Sequence, residues 1–238
     1  MTQKLYQGSS KTLYDTDEEY ALIMVFEDSL RLSPDKTLHI SGKGGINNMI
    51  SSYLMQKLDM IGIENHLIEK INMKKQLIQR TEIYPVQIHV STLACDRYVN
   101  NLGMEEGFVF DLPVIDYRIK NSRLNYPSVN EHQIVNFGWM TPYEIKELRK
   151  LAIRIHDFLV GLFVSVNIRM VDIKLEFGRV FNGEEFIPML IDEVSPDTCR
   201  LWDMDTNQKL CFEAGIEGDG SQLILAYQEV LSRLNICK

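Results

Sequence analysis

A chain of 238 residues with 45% hydrophobic and 24% charged side chains has ordinary globular composition, and its length suits one large domain or two small lobes. Its 33 acidic residues outnumber 25 basic ones, giving a net charge of −8. That field repels phosphate backbones and anionic lipid, so it argues against nucleic acid or a membrane surface as partner, while leaving room for a small anionic ligand at a locally basic site.

The first third reads as short strands, Lys11 to Tyr14 and then Tyr20 to Phe26, dense in apolar and β-branched or aromatic residues. Asn47 to Met60 suits a helix, and Tyr84 to Val90 returns to strand character. Thr141-Pro142 starts a long helix, with a capping hydroxyl and a proline in the first turn. Ile145, Leu148, Ala152, Ile155, Leu159, Leu162 and Val166 then keep one face apolar. Val171 to Gly178 alternates so that Asp172, Lys174 and Glu176 share one strand face and Ile173, Leu175 and Phe177 the other. Asn182-Gly183 is a turn signal, Phe186 to Ile191 the returning strand, and Ser221 to Leu234 a final helix. Strands first, then strands mixed with long helices, argue for an α+β fold with an antiparallel sheet. A boundary near residue 80 would separate a small β-rich lobe (1–80) from a larger α+β lobe (81–238), with a ligand in the cleft between them.

The cysteines (Cys95, Cys199, Cys211, Cys237) lack C-x-x-C spacing and read as free thiols in a reducing cytosol. Met1 to Gln7 carries no apolar signal core, and the most apolar run, Phe158 to Val166, is too short to span a bilayer. The expectation is a soluble, cytoplasmic protein.

Several segments are candidates for chemistry. The Asp172-Lys174-Glu176 face reads either as a solvated outer surface or as the floor of a cleft, with a carboxylate for a divalent cation and a lysine for phosphate or carboxylate. Asp192-Glu193 ends an apolar strand, where a cleft mouth is common. Ser195 to Asp203 reads as a loop whose Ser195 and Arg200 could close on an oxyanion. Gly8-Ser9-Ser10-Lys11 is either a plain turn or a cover over nucleotide phosphates. In Gly42-Lys43-Gly44-Gly45-Ile46-Asn47-Asn48 the glycines permit close approach, Lys43 adds charge, and the Asn pair is expected to cap the next helix. No Walker A loop, G-x-S-x-G elbow, strand-borne G-x-G-x-x-G or histidine metal motif is present.

Taken together these segments resemble the SAICAR synthetase (phosphoribosylaminoimidazole-succinocarboxamide synthase) family over nearly the whole chain. The resemblance rests on YxGxxKxxY at Tyr6 to Tyr14, GKGxxNN at Gly42 to Asn48, LGxEEG at Leu102 to Gly107, and VNE…FGW at Val129 to Trp139. VDxKLEFG at Val171 to Gly178 and DExSPDxxRLWD at Asp192 to Asp203 are its longest pieces. It implies a two-lobed fold, often oligomeric, with ATP between the lobes. It also implies phosphorylation of a substrate carboxylate by ATP, followed by attack of the amine of aspartate. By matching position, Glu176 and Asp192 would hold magnesium, and Gly8, Ser10, Lys11 and Lys43 would serve the nucleotide. Asp172 and Lys174 would face the reacting groups, while Ser195, Asp197, Arg200 and Arg97 would contact the carboxylate and amine substrates.

The departures are specific. Ser9 stands at the first basic position of the first loop, and Leu93, Asp96 and Arg97 stand where the family's substrate loop has arginine, glycine and serine. Cys211 to Asp219 lacks the family's basic run. They give rise to the expectation that ATP activation is retained while one or both co-substrates have changed. The alternatives are an unaltered SAICAR synthetase and, from another class, a small-molecule kinase or a non-catalytic ATP-binding protein. One geometric expectation follows. A plain hairpin at Asn182-Gly183 would set Asp192 opposite Ile173, away from Glu176, so joint metal binding predicts an odd-length loop or a bulge.

Overall fold

The structure is a computed structural model that describes residues 3–33, 36–217 and 220–236. The architecture is α+β with antiparallel sheets. Strands β1 (Lys4–Gln7), β2 (Lys11–Asp15), β3 (Ala21–Phe26), β4 (Ser29–Ser33) and β5 (Lys36–His39) lead into helix α1 (Lys43–Asp59). After α1 come β6 (Leu67–Lys70), β7 (Lys75–Gln79), β8 (Glu82–Leu93), helix α2 (Arg97–Asn100), β9 (Val109–Ile119) and β10 (Ser128–Val129). Helices α3 (Glu131–Asn136) and α4 (Pro142–Val164) precede β11 (Ile168–Phe181), β12 (Phe186–Ile191) and β13 (Cys199–Asp203). Helices α5 (Glu213–Glu217) and α6 (Gly220–Arg233) end the chain. No helix among the described residues is long and apolar enough to cross a membrane.

One sheet, ordered β1-β2-β3-β7-β6, is drawn from the first 79 residues. A six-stranded sheet, β10-β9-β8-β11-β12 with β13 also on β11, comes from the rest, and β4 and β5 form a separate hairpin. α1 does not keep to the small sheet. Its Ile50, Leu54, Met55 and Leu58 belong to the same buried core as α4, α6 and the large sheet.

The large sheet has two unlike faces because its central strands alternate in step. Ile173 and Leu175 of β11 lie beside Val90 and Ile88 of β8, and Phe177 and Val86 join them in the core under α4. The opposite face carries Asp172, Lys174 and Glu176 beside Ser91, His89 and Gln87, and then Val114, Asp116 and Arg118 of β9. Buried apolar area drives the first face into the core, and polar groups are left to line whatever covers the second.

Helix α4 starts as expected. Thr141 accepts from the Glu144 amide, Glu144 reciprocates on the Thr141 amide, and Pro142 sits in the first turn. The apolar stripe holds through Ile145, Leu148, Ala152, Ile155 and Leu159, whereas Val166 lies past the helix end.

The start of α1 differs from expectation. The helix begins at Lys43, and Asn47 and Asn48 are buried inside it rather than capping it. Gly42 takes the left-handed φ of 87° at the N-cap, and the free N-terminal amide of Gly44 donates to Asp28 Oδ1 at 2.9 Å, so the cap comes from the β3–β4 turn. Gly44 has no room for more than hydrogen, because a Cβ there would stand 2.5 Å from the Phe26 carbonyl oxygen. Gly44→Ala must therefore move backbone. The expected result is a stability loss of about 1–3 kcal/mol in urea unfolding, with no loss at the open position Gly161 as a control.

Candidate active site

The polar face of the large sheet and the inner face of the small one meet at a cluster of charges. Lys11 leaves β2 on the face shared with Leu13, Met24 and Phe26 and reaches across to ion-pair with Asp192 and, at 2.6 Å, with Glu193. Glu176 on β11 accepts from Gln87 Nε2 at 2.6 Å and pairs with Lys120, just past β9. Burial works to lower the Lys11 pKa, but the two carboxylates outweigh it and hold the ammonium above the usual lysine range. Burial likewise opposes ionisation of Asp192, yet Lys11 and Lys174 keep it well below the usual carboxylate range. Lys120 is raised against its burial by Glu176 first and Asp192 second. Glu176 and Asp192 thus both act on the Lys120 ammonium.

That convergence is reached by a route other than the expected odd-length loop or bulge, for the β11–β12 ladder is regular to its end. The β11–β12 register pairs Glu176 with Ile191 and Phe181 with Phe186, leaving Asn182 to Glu185 as an even-length loop. Regular continuation would set Asp192 beside Leu175, on the apolar side. The strand stops at Ile191 instead, and Asp192 takes a left-handed φ of 68°, which aspartate tolerates better than most side chains. His66 Nε2 lies 2.8 Å from the Asp192 carbonyl oxygen and fixes this turn. Burial lowers the His66 pKa to about 4 despite Asp192, so near neutrality the imidazole is uncharged and its Nε2–H donates to that carbonyl.

Asp192-Glu193 opens a loop that does not stay a loop. Ser195 donates to Glu193 Oε2 at 2.6 Å, its Oγ accepts from the Asp197 amide at 3.1 Å, and the chain then forms β13, where irregular structure was expected. β13 sets Arg200 opposite Asp172 on β11. Arg200 pairs with Asp172, with Glu213 at 3.2 Å and with Asp96 at 3.4 Å, and its guanidinium lies over Phe212. Asp197 is held by the Lys43 ammonium on one oxygen and the Tyr227 hydroxyl on the other. Burial and then Asp197 drive that tyrosine's pKa well above its ordinary value.

The structure thus gathers Lys11, Asp192 and Glu176 in one charge cluster, with Lys174 close enough to act on Asp192, and Asp172 with Arg200 farther along the same sheet face. Lys43 is brought to Asp197, not to Gly8 and Ser10, and its side chain has no exposed surface. Gly8 and Ser9 line a cavity of about 420 Å³ with Glu27, Asp28 and Lys74; Ser10 only accepts the Glu27 amide through its carbonyl. None of Lys11, Glu176 or Asp192 borders that cavity. Arg97 pairs with Asp116 at 2.6 Å and donates to Ser128. Lys120, Asp116 and Tyr227 escaped the sequence reading. The signal for Lys120 was present: Asp116, Arg118 and Lys120 alternate with Ile115, Tyr117 and Ile119.

As a donor set, two carboxylates facing one cleft suit a hard divalent cation that takes its remaining ligands from substrate phosphate and water. Among the described residues no group of three or more His, Cys, Asp or Glu side chains could hold a metal by itself. The site therefore fits magnesium in a phosphate complex and not an all-protein cage.

Comparison with known proteins identifies the fold and the family. The family model for SAICAR synthetase matches residues 4–219. Enzymes named phosphoribosylaminoimidazole-succinocarboxamide synthase from Rickettsia massiliae and Rickettsia typhi are 55% identical over 234 residues, covering 98% of this chain and 99% of theirs. The crystal structure of the synthase of that name from Ehrlichia chaffeensis superposes with a TM-score of 0.95 at 35% identity, covering 99% of this chain and 100% of that one. A SAICAR synthetase in complex with ADP gives a TM-score of 0.91 at 29% identity, with 98% of each chain covered. With this fold, these motifs and this likeness along its length, the chain belongs to the SAICAR synthetase family and is an ATP-dependent ligase that forms a carbon–nitrogen bond.

Proposed function

We propose that the chain joins carboxyaminoimidazole ribotide to L-aspartate using ATP, the reaction for which its relatives are named. The observation that carries this reading is 55% identity across 98% of the chain to synthases bearing that name. It replaces the expectation of an altered co-substrate, and there is a physical reason the departures weigh less than their chemistry indicated. Asp96 does not stand bare toward a substrate phosphate, because its carboxylate lies 3.4 Å from Arg200. Arg97 reaches the sheet's polar face through Asp116. Of the stretch without basic residues, Glu213 orients Arg200, while Gly218 and Asp219 lie outside the described residues.

In this reading Glu176 and Asp192 would hold magnesium, which would supply charge neutralisation to the phosphate oxygens. Lys11 would take ATP phosphates, and Asp172 and Lys174, on the polar face of β11, would face the reacting carboxylate and the transferred group. Ser195, Asp197 and Arg200 serve the non-nucleotide substrates through the loop they stabilise, with Lys43 holding that loop from α1. The free, buried thiols of Cys95, Cys199 and Cys211 suit a reducing cytoplasm, and Cys237 lies outside the described residues. A homo-oligomer is carried over from the family as part of the same proposal.

The test is phosphate release from ATP with the ribotide and aspartate together, each omitted in turn, beside a panel of other acids and amines. The expected result is turnover on the order of 1–10³ per second that requires both co-substrates. Turnover with the acid alone would indicate a kinase. Turnover only with another pair would restore the altered-substrate reading.

A further inference from the structure

The cations on the polar face of the large sheet are not all neutralised. Lys120 has Glu176, Arg200 has Asp172, and Arg97 has Asp116. Arg118 and Lys174 stand apart: among the described residues neither side chain makes a hydrogen bond or an ion pair, and Lys174 acts on Asp192 only through its charge. Arg118 comes from β9 and Lys174 from β11, with β8 between them carrying Gln87 in the row of Arg118 and His89 in the row of Lys174. The Nε of Arg118 and the Nε2 of His89 are both closed off from solvent without a partner. His89 is kept uncharged well below its usual pKa, first by burial and then by Arg118, Lys174, Arg200 and Arg97 around it.

A half-buried guanidinium with an unsatisfied N–H is costly in a fold that could have supplied a carboxylate, and in a chain of net charge −8 carboxylates are plentiful. Its retention beside a lysine with no direct partner and an orphaned imidazole nitrogen brings together the donors an oxyanion needs. The guanidinium gives a planar fork, the ammonium a point charge, and the ring a neutral donor or acceptor. We infer that Arg118, with His89 and Lys174, binds an oxyanion of one non-nucleotide substrate, either the ribotide phosphate or a carboxylate of aspartate. This rests on the reading of the reaction given above for the identity of the substrate, but not for the existence of the site.

The experiment uses the full chain and the variants Arg118→Met and Arg118→Lys. Affinities for inorganic phosphate and for L-aspartate are measured by calorimetry without turnover, and KM is measured separately for ribotide, aspartate and ATP. Losing a charge-assisted hydrogen bond or two should weaken one of the two oxyanions about 10- to 100-fold in Arg118→Met. Arg118→Lys should recover part of that loss, and KM for ATP should stay within about twofold in both. Which KM rises tells phosphate from carboxylate. The ligand-free melting temperature should hold or rise in Arg118→Met, because no partner is lost and repulsion from Lys174 is relieved. A purely structural arginine would do the reverse. If the enzyme proves inactive with this substrate pair, weakened phosphate or aspartate binding in Arg118→Met still sustains the receptor while the substrate assignment fails. Unchanged affinities and unchanged KM values in folded Arg118→Met would overturn the inference.

Discussion

Lys43→Met is expected to cost the fold about 3–5 kcal/mol, the usual penalty for stranding one partner of a fully buried ion pair. Lys43 has no exposed side-chain surface, and its ammonium meets Asp197, whose other oxygen holds the Tyr227 hydroxyl. Methionine keeps the apolar stem in place but leaves the Asp197 carboxylate without its cation. Three segments distant in sequence are tied together at this point: the start of α1, the loop before β13, and α6. The measurement is urea unfolding of Lys43→Met, Asp197→Asn and the double variant. Coupling through one ion pair makes the double variant less damaged than the two single losses added together. Simple additivity would mean that each residue is held by something else. In a folded population of the single variant, KM for a non-nucleotide substrate should rise before KM for ATP, since Lys43 supports the Asp197 loop and not Gly8 or Ser10.

Glu176→Gln is expected to lower magnesium-dependent turnover at least about 10²-fold, in the range seen when one electrostatic contributor to transfer is removed. The shape is kept and the Gln87 contact can be re-formed, but half the carboxylate pair that suits the cation is gone. Stability should fall only modestly, by about 1–3 kcal/mol, because Lys120 loses an ion partner while still feeling Asp192. Raising magnesium should recover part of the activity if the defect is in binding the ion. Turnover unchanged at every magnesium concentration in a folded variant would remove Glu176 from the site.

These expectations draw on information of two kinds. The alternation of Val171 to Gly178 was enough to put Asp172, Lys174 and Glu176 on one face, since a strand's period is a property of its own backbone. The long helix from Pro142 was equally legible, because its cap and apolar stripe are local. The motifs around the same strands pointed to the family without any geometry. Two of the local readings failed where the partner was remote. Asn47 and Asn48 did not cap α1, because Asp28 reaches its amides from another turn. Ser195 to Asp203 was not simply a loop, because β11 offered Cys199 to Asp203 an edge to pair with.

What the sequence determined by itself was therefore the set of elements, the polar face of β11, and the family of enzymes to which the chain belongs. The tertiary structure decided how that face becomes a site. Periodicity says which side of a strand a residue takes, but not which strands are neighbours, and only the sheet order sets Gln87, His89, Asp116 and Arg118 beside Lys174 and Glu176. Strand parity alone would have sent Asp192 to the wrong face. A single left-handed residue, held by the buried imidazole of His66, turns it back toward Lys11 and Lys120. A backbone choice between allowed regions depends on contacts that form only when distant segments have packed, and nothing in the local pattern of Ile191-Asp192-Glu193 encodes it.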